Sequence, residues 1–193
     1  MEIIKFDSKN LKIIIRKIKE GKVLVFPTDT VYGLICDATN KKAVKRLFRI
    51  KKRHSKNPIP LFVKDTETAK KIAKINRLQE DFLKNIWPGG ITVVLERKKT
   101  KTKLYGINRK TVALRIPNFK AINLLLKKIN IPLAESSANI SGRVISNNLK
   151  RVLNQFKNQR NQPDLVVDAG NLPKNKPSTV LDLTIFPPKI LRP

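Results

Sequence analysis

The feature that most constrains this chain is alternation: amphipathic helix patterns and short apolar runs take turns through all 193 residues, with no internal repeat and no long linker. Ser8 stands where an N-cap belongs for a first helix with Leu11, Ile14, Ile15 and Ile18 on its apolar face. Gly21 follows at the left-handed position beyond its end. Residues 23–26 read as a buried strand stopped by Pro27. Asn40 caps the next helix, with Ala43, Val44, Leu47 and Phe48 inward and the basic residues outward. Residues 59–63 read as a strand, and 66–85 as one or two helices closed by the turn Trp87-Pro-Gly-Gly90. Residues 91–95 and 112–116 are strands flanking a basic loop. A helix over 118–129, with Ala121, Leu124, Leu125 and Ile129 inside, leads to a strand at 131–134. A polar loop follows at 136–142, then a helix capped by Ser146 and running to about Asn158. Strand-like runs at 165–167, 179–183 and 189–191 finish the chain. Alternation early and short strands late predict one α/β domain over residues 1–193, built on a mixed rather than purely parallel sheet.

Composition excludes several function classes. Apolar residues make up 40% of the chain, enough for a packed core, yet no run approaches the roughly 20 residues of a membrane span. Glu2, Lys5, Asp7, Lys9 and Lys12 break up any signal-peptide core, so a cytoplasmic location is expected, with no membrane partner. Cys36 is the only cysteine and His54 the only histidine, which argues against a disulfide, a multi-cysteine metal site and Ser-His-Asp chemistry. Cys36 reads as a packed thiol, His54 as solvated among cations, and Trp87 as a packing anchor at its turn.

The net charge of +28 admits two readings, attraction to a polyanion or a compositional excess of Lys, Ile and Asn. The charge is uneven: residues 41–56 carry nine Lys or Arg without an acid, and 97–110 form a second run. Such density favours phosphate nearby, whether of a nucleotide or of an RNA.

Four segments carry the candidate chemistry, each at a strand end, where open α/β sheets gather ligands. Pro27-Thr-Asp-Thr-Val-Tyr-Gly33 offers two hydroxyls and a carboxylate, suited to a small polar substrate or to an Asp/Thr turn. Lys51-x-Arg53, running into Ser55-Lys-Asn-Pro58, offers a point charge and a planar fork, a phosphate clamp or a solvated helix end. In Val112-Ala-Leu-Arg-Ile-Pro117 the guanidinium of Arg115 sits among buried strand residues and needs an anion, either Glu135 or a substrate carboxylate. Ser136-Ser-Ala-Asn-Ile-Ser-Gly142 can turn backbone and side-chain donors toward phosphate oxygens, or form an ordinary Ser/Asn turn. No Gly-Lys-Ser/Thr of a Walker A loop is present. From the residues alone, the reading stops at a nucleotide-binding α/β protein.

The set resembles the YrdC/TsaC family of threonylcarbamoyl-AMP synthases. Pro27-Thr-Asp-Thr-Val-Tyr-Gly-Leu34 is similar to the family's opening motif, and Lys51-x-Arg53 with Ser137-x-Asn139 to its paired K-x-R and S-x-N signature. Trp87-Pro-Gly-Gly-Ile-Thr92, Ala113-Leu-Arg-Ile-Pro117, Ser178-Thr-Val-Leu-Asp182 and Leu191-Arg-Pro193 extend the series in family order over roughly residues 12–193. The resemblance implies a twisted, open mixed sheet flanked by helices around a large basic concave cavity. It implies a nucleotidyltransferase that converts L-threonine, bicarbonate and ATP, with Mg²⁺, to threonylcarbamoyl-AMP and pyrophosphate. A separate threonylcarbamoyl transferase complex would then act on tRNAs reading A-starting codons.

Carried over by position, Thr30 and Arg115 hold threonine. Lys51, Arg53, Asn57, Thr111, Ser137, Asn139 and Arg192 surround the nucleotide, with Ser146 and Ser178 as outlying candidates. The chemistry asks for positioning and charge from Lys51 and Arg53 rather than a protein nucleophile; no general base and no metal ligand is assigned. Asp29 either orients the threonine or caps its turn. Three positions depart from the family pattern. Phe62 stands where His is common and Ile35 where a second Gly is common. Glu135 fills a place usually small or hydroxylated, either to neutralise Arg115 or to touch magnesium. The extra C-terminal domain of the longer family form is not expected after Pro193. Competing functions are a non-catalytic tRNA or double-stranded-RNA binder of the same fold, and a paralogue with other carbamoyl or nucleotide chemistry.

Overall fold

The structure is a computed structural model that describes residues 1–7 and 9–193. The expected cap at Ser8 lies outside the described residues. Ten strands join in one sheet: β1 (Glu2–Lys5), β2 (Leu24–Phe26), β3 (Gly33–Asp37), β4 (Leu61–Phe62), β5 (Ile91–Glu96), β6 (Thr111–Arg115), β7 (Leu133–Ser137), β8 (Leu165–Asp168), β9 (Thr179–Asp182) and β10 (Lys189–Arg192). Their order is β1-β8-β2-β3-β7-β4-β6-β5-β9-β10. The sheet is mixed as expected: β8 runs parallel to both β1 and β2, and β4 to β6, while β3/β7 and β5/β6 are antiparallel.

Helices cover both faces. On one, α1 (Leu11–Lys19) and α5 (Lys120–Ile129) bury Ile14, Ile18, Ile122 and Leu125 against Phe26, Phe62 and Leu133. On the other, α2 (Lys41–Lys51), α3 (Thr66–Ile72), α4 (Arg77–Ile86) and α6 (Leu149–Phe156) bury Leu47, Ile72, Leu83 and Phe156 against Val25, Leu61 and Leu114. Each fully buried Leu or Phe contributes about 1.5–3 kcal/mol, so the two cores fix which face every strand residue takes.

Local signals explain most element ends. The Asn40 side chain accepts from the Lys42 and Ala43 amides and starts α2. Gly21 has φ 78° after α1, the left-handed conformation that costs glycine little. Asn76 and Gln79 form a capping box on α4.

Several expectations are corrected. Ser146 does not cap α6; Asn148 does, accepting from the Arg151 amide, and the helix ends at Phe156. α5 turns Ile122 and Leu126 inward and leaves Leu124 only partly buried. Its run of apolar residues has more than one amphipathic solution, and packing against α1 selects one. β1 and β3 were not legible as strands. β1 is largely exposed at the sheet edge, and β3 lies in a stretch whose Gly33 and Asp37 read as loop.

Candidate active site

One end of α2 sets up the basic half of the site. The helix closes on Lys52 in the left-handed conformation (φ 52°), without a glycine. That reversal sends Lys51 inward, where it is 4% exposed, and lets Arg53 emerge beside it. Lys51 Nζ donates to Asn139 Oδ1 (2.8 Å) and Ser137 O (2.7 Å), with Ser137 Oγ and Asn139 O each at 3.2 Å. Burial pulls its pKa down to about 8, with Arg53 and Arg192 pushing the same way and Glu135 opposing.

Asn139 spends its polar atoms on the protein. Its Oδ1 accepts from Lys51 and Ser137, and its Nδ2 donates to Ile140 O and Arg143 O. Four amides of the 136–142 loop are equally committed: Ala138 donates to Tyr32 O, Asn139 to Ser137 O, Ile140 to Gln155 Oε1 and Ser141 to Lys51 O. These four are turned into the protein rather than toward a phosphate, while Ser136, Ser137, Ser141 and Gly142 still line the cavity. The loop holds the Lys51 ammonium.

The free donors lie on arginines. Arg53 fixes Nε on Asn57 O (3.0 Å) and one terminal nitrogen on Pro58 O (2.9 Å). Arg192 rests on Ser178, with Nε and Nη2 on the carbonyl and Nη2 also on Oγ; that hydroxyl meets Thr92 Oγ1 at 3.0 Å. Each guanidinium keeps its other terminal nitrogen for the cavity. After burial, the nearness of Arg192 is the main cause lowering the Arg53 pKa, the mark of two cations sharing a space that suits an anion.

Across the cavity, Arg115 at the end of β6 is almost fully buried. Its Nε donates to Gly89 O (2.8 Å), Nη1 to Thr30 Oγ1 (3.2 Å) and Nη2 to Asp29 Oδ1 (2.5 Å), and the guanidinium carbon lies 5.6 Å from the centre of the Phe62 ring. The partner of Arg115 is therefore Asp29, not Glu135. Asp29 neither caps its own turn nor faces a substrate: its second oxygen accepts from the Asn118 amide. Phe62 is fully buried beneath Arg115 and does not line the cavity. Two of the five guanidinium hydrogens of Arg115 remain for a ligand.

Thr30, Lys51, Arg53, Arg115, Ser137, Asn139, Ser178 and Arg192 thus line one cavity, joined by Glu135, Ser136, Ser141 and Gly142. Four cations face one carboxylate. Three expected nucleotide residues do not line it. Asn57 is exposed and contributes its carbonyl to Arg53. Thr111 faces a separate basic cleft with Arg97, Arg109 and Lys110, and Ser146 a pocket with Arg151 and Lys174. Sequence reasoning missed the anchors Asn147 and Asn175, which donate to the carbonyls of Thr30 and Asp29; an exposed Asn in a loop carries no signal of such a role. Among the described residues no group of three His, Cys, Asp or Glu is placed to hold a metal ion.

An open mixed sheet whose strand ends set Arg115 and Thr30 against Lys51, Arg53 and Arg192 defines an α/β protein with a cationic cavity, a setting that suits anionic groups. The comparisons place it further. The Sua5/YciO/YrdC family model, described as "Telomere recombination", matches residues 16–193, and the chain belongs to that family. It is 36% identical to the threonylcarbamoyl-AMP synthase of Pyrococcus abyssi over 91% of this chain, and spans about half (51%) of that relative's length. It is 31% identical to the threonylcarbamoyl-AMP synthase of Blochmanniella pennsylvanica, covering 78% of this chain and 79% of that one. The crystal structure of P. abyssi Sua5 complexed with L-threonine superposes with a TM-score of 0.86 at 33% identity, over 100% of this chain and 56% of that chain.

Proposed function

We propose that this protein is a threonylcarbamoyl-AMP synthase, a nucleotidyltransferase taking L-threonine, bicarbonate and ATP to threonylcarbamoyl-AMP and pyrophosphate. The observation that carries the reading is the meeting of Thr30 and Arg115 with Lys51, Arg53, Ser137 and Arg192 around a single cavity. The two free hydrogens of Arg115 take the threonine carboxylate, and Thr30, already bonded to Arg115, stands beside it. The threonine amine captures bicarbonate, forming a C–N bond and releasing water. The resulting carbamate oxygen then attacks the α-phosphorus of ATP, and pyrophosphate leaves. Both reactants are anions, so the principal barrier is bringing them together. Lys51, Arg53 and Arg192 supply fixed positive charge that needs no reorganisation as negative charge moves along the phosphates.

Mg²⁺ would come with ATP as part of the substrate and would neutralise charge on its phosphates; among the described residues the cavity offers it a single carboxylate rather than a cage. Among the described residues no helix is long and apolar enough to cross a membrane, and a cytoplasmic site of action beside a tRNA-modifying transferase complex fits the product. The test is pyrophosphate release by the purified protein with MgATP. Release that needs both L-threonine and bicarbonate, with a threonylcarbamoyl-adenylate mass in the products, is the expected result. Folded protein that releases none with every component present overturns the reading, and binding of tRNA without turnover would select the RNA-binder alternative.

A further inference from the structure

None of the three cations near Glu135 (Arg115, Lys51 and Arg192) bonds to it directly. It is 8% exposed and is the sole acid of the cavity lining. Arg115 takes its ion pair from Asp29, and Lys51 is surrounded by oxygens of Ser137 and Asn139. Among the described residues the Glu135 carboxylate makes neither a hydrogen bond nor an ion pair, and its oxygens open onto the cavity rather than into the core. An acceptor-only group in such a place takes its donor from whatever fills the cavity, water or a ligand.

Its position says what that donor is. Arg115 pairs in register with Phe62, Phe62 with Leu133, and Glu135 follows two residues along β7. Strand alternation puts Arg115 and Glu135 on one face, two strands across and two residues along, with roughly 12 Å between their Cα atoms. Both long side chains therefore enter the cavity from the same floor. Room for the carboxylate comes from Gly33 on the neighbouring strand, where a Cβ would stand 3.2 Å from Glu135 Oε1. A ligand anchored by a carboxylate on Arg115 meets an anion next, which is the charge pattern of an α-amino acid zwitterion. Magnesium fits this position poorly, since Arg115, Lys51 and Arg192 all act on the same carboxylate, and Asp29, the other acid that acts on it, is paired with Arg115.

We infer that Glu135 is the docking group for the α-ammonium of the amino-acid substrate, and so sets the requirement for an amine at this site. The inference rests on the synthase reading, and the experiment separates the two. L-Threonine and 3-hydroxybutyrate, which keeps the carboxylate and hydroxyl but lacks the amine, are titrated by calorimetry into wild type, Glu135→Gln and Glu135→Ser. Thermal melts establish that each variant is folded. Both variants should weaken threonine at least roughly tenfold, the scale of one hydrogen bond to a charged group, and should not weaken 3-hydroxybutyrate or ATP, both anions that gain from loss of a negative charge beside Arg115, Lys51 and Arg192. Unchanged threonine affinity, an equal loss for both acids, or a loss seen only in the Mg²⁺ dependence of ATP binding overturns the inference and leaves the synthase reading standing. Wild-type protein that binds ATP but no threonine overturns both.

Discussion

Lys51 Nζ and Asn139 Oδ1 lie 2.8 Å apart, and this contact ties the end of α2 to the loop after β7. The K-x-R and S-x-N motifs are thus two halves of one device: the second orients and solvates the cation of the first. Four oxygens around an ammonium with three hydrogens leave it charged but immobile.

Lys51→Met should separate function from stability. Removing the ammonium lifts its cost of burial but strips the Ser137 and Asn139 carbonyls of a donor, so the two effects oppose and the melting temperature should change little. ATP affinity should fall at least roughly tenfold, one short-range charge interaction. A variant that melts much lower yet still binds ATP would make Lys51 a structural residue.

Arg53→Ala and Asn139→Ala are expected to differ in kind. Arg53 touches only carbonyls of its own loop, so its loss should weaken ATP and change stability by no more than about 0.5 kcal/mol. Asn139 donates to two carbonyls and is 5% exposed, so its loss should cost about 1–3 kcal/mol as well as ATP binding. Urea denaturation beside ATP titration reads both effects.

Asp29→Ala breaks the ion pair that aims Arg115 and strips the Asn118 amide of its acceptor. A stability loss of about 3 kcal/mol is expected, with a weaker hold on threonine. Unchanged threonine affinity in a destabilised variant would mean that Thr30, Phe62 and Gly89 suffice to orient the guanidinium.

The pH dependence follows from Lys51. Its folded pKa of about 8 lies below the ordinary 10.5, so the folded protein holds fewer protons than the unfolded chain between those values. Stability contributed by this group therefore rises with pH across that window, after a cost of roughly 3 kcal/mol below it. ATP reverses the preference, because phosphates favour the ammonium. Binding should take up a proton above pH 8, with affinity falling by up to about tenfold per pH unit toward pH 10. Calorimetry in buffers of different ionisation enthalpy measures that proton, and an affinity flat from pH 7 to 10 would place the phosphates out of Lys51's reach.

Much of this was legible beforehand, for physical reasons. The Asn40 cap, the Gly21 reversal and the inward faces of α1 and α2 are local, so sequence spacing reports them. The eight predicted residues that line the cavity were picked out by a family resemblance spread along the chain, since each segment alone also reads as an ordinary turn or helix end. What stayed hidden was nonlocal. That Asp29 pairs with Arg115, rather than Glu135 or a substrate carboxylate, depends on which acid the sheet brings within reach. The consumption of the Ala138, Ile140 and Ser141 amides depends on Tyr32, Gln155 and Lys51, distant in sequence. Thr111 and Ser146 were right in residue type but open onto other clefts.

The strand order carries a last consequence. β3 pairs with β7 across about a hundred residues of chain, and the cavity draws on Thr30, Lys51, Arg115, Asn139 and Arg192 from nearly the whole length of the protein. No fragment missing the segments that carry these residues can hold ligand, so ligand opposes openings that separate those segments. At a concentration a hundredfold above Kd it would add about 2.7 kcal/mol against such openings. Amide exchange should then slow about a hundredfold together in β3, β6 and β7, while the frayed edge at β1 exchanges as before.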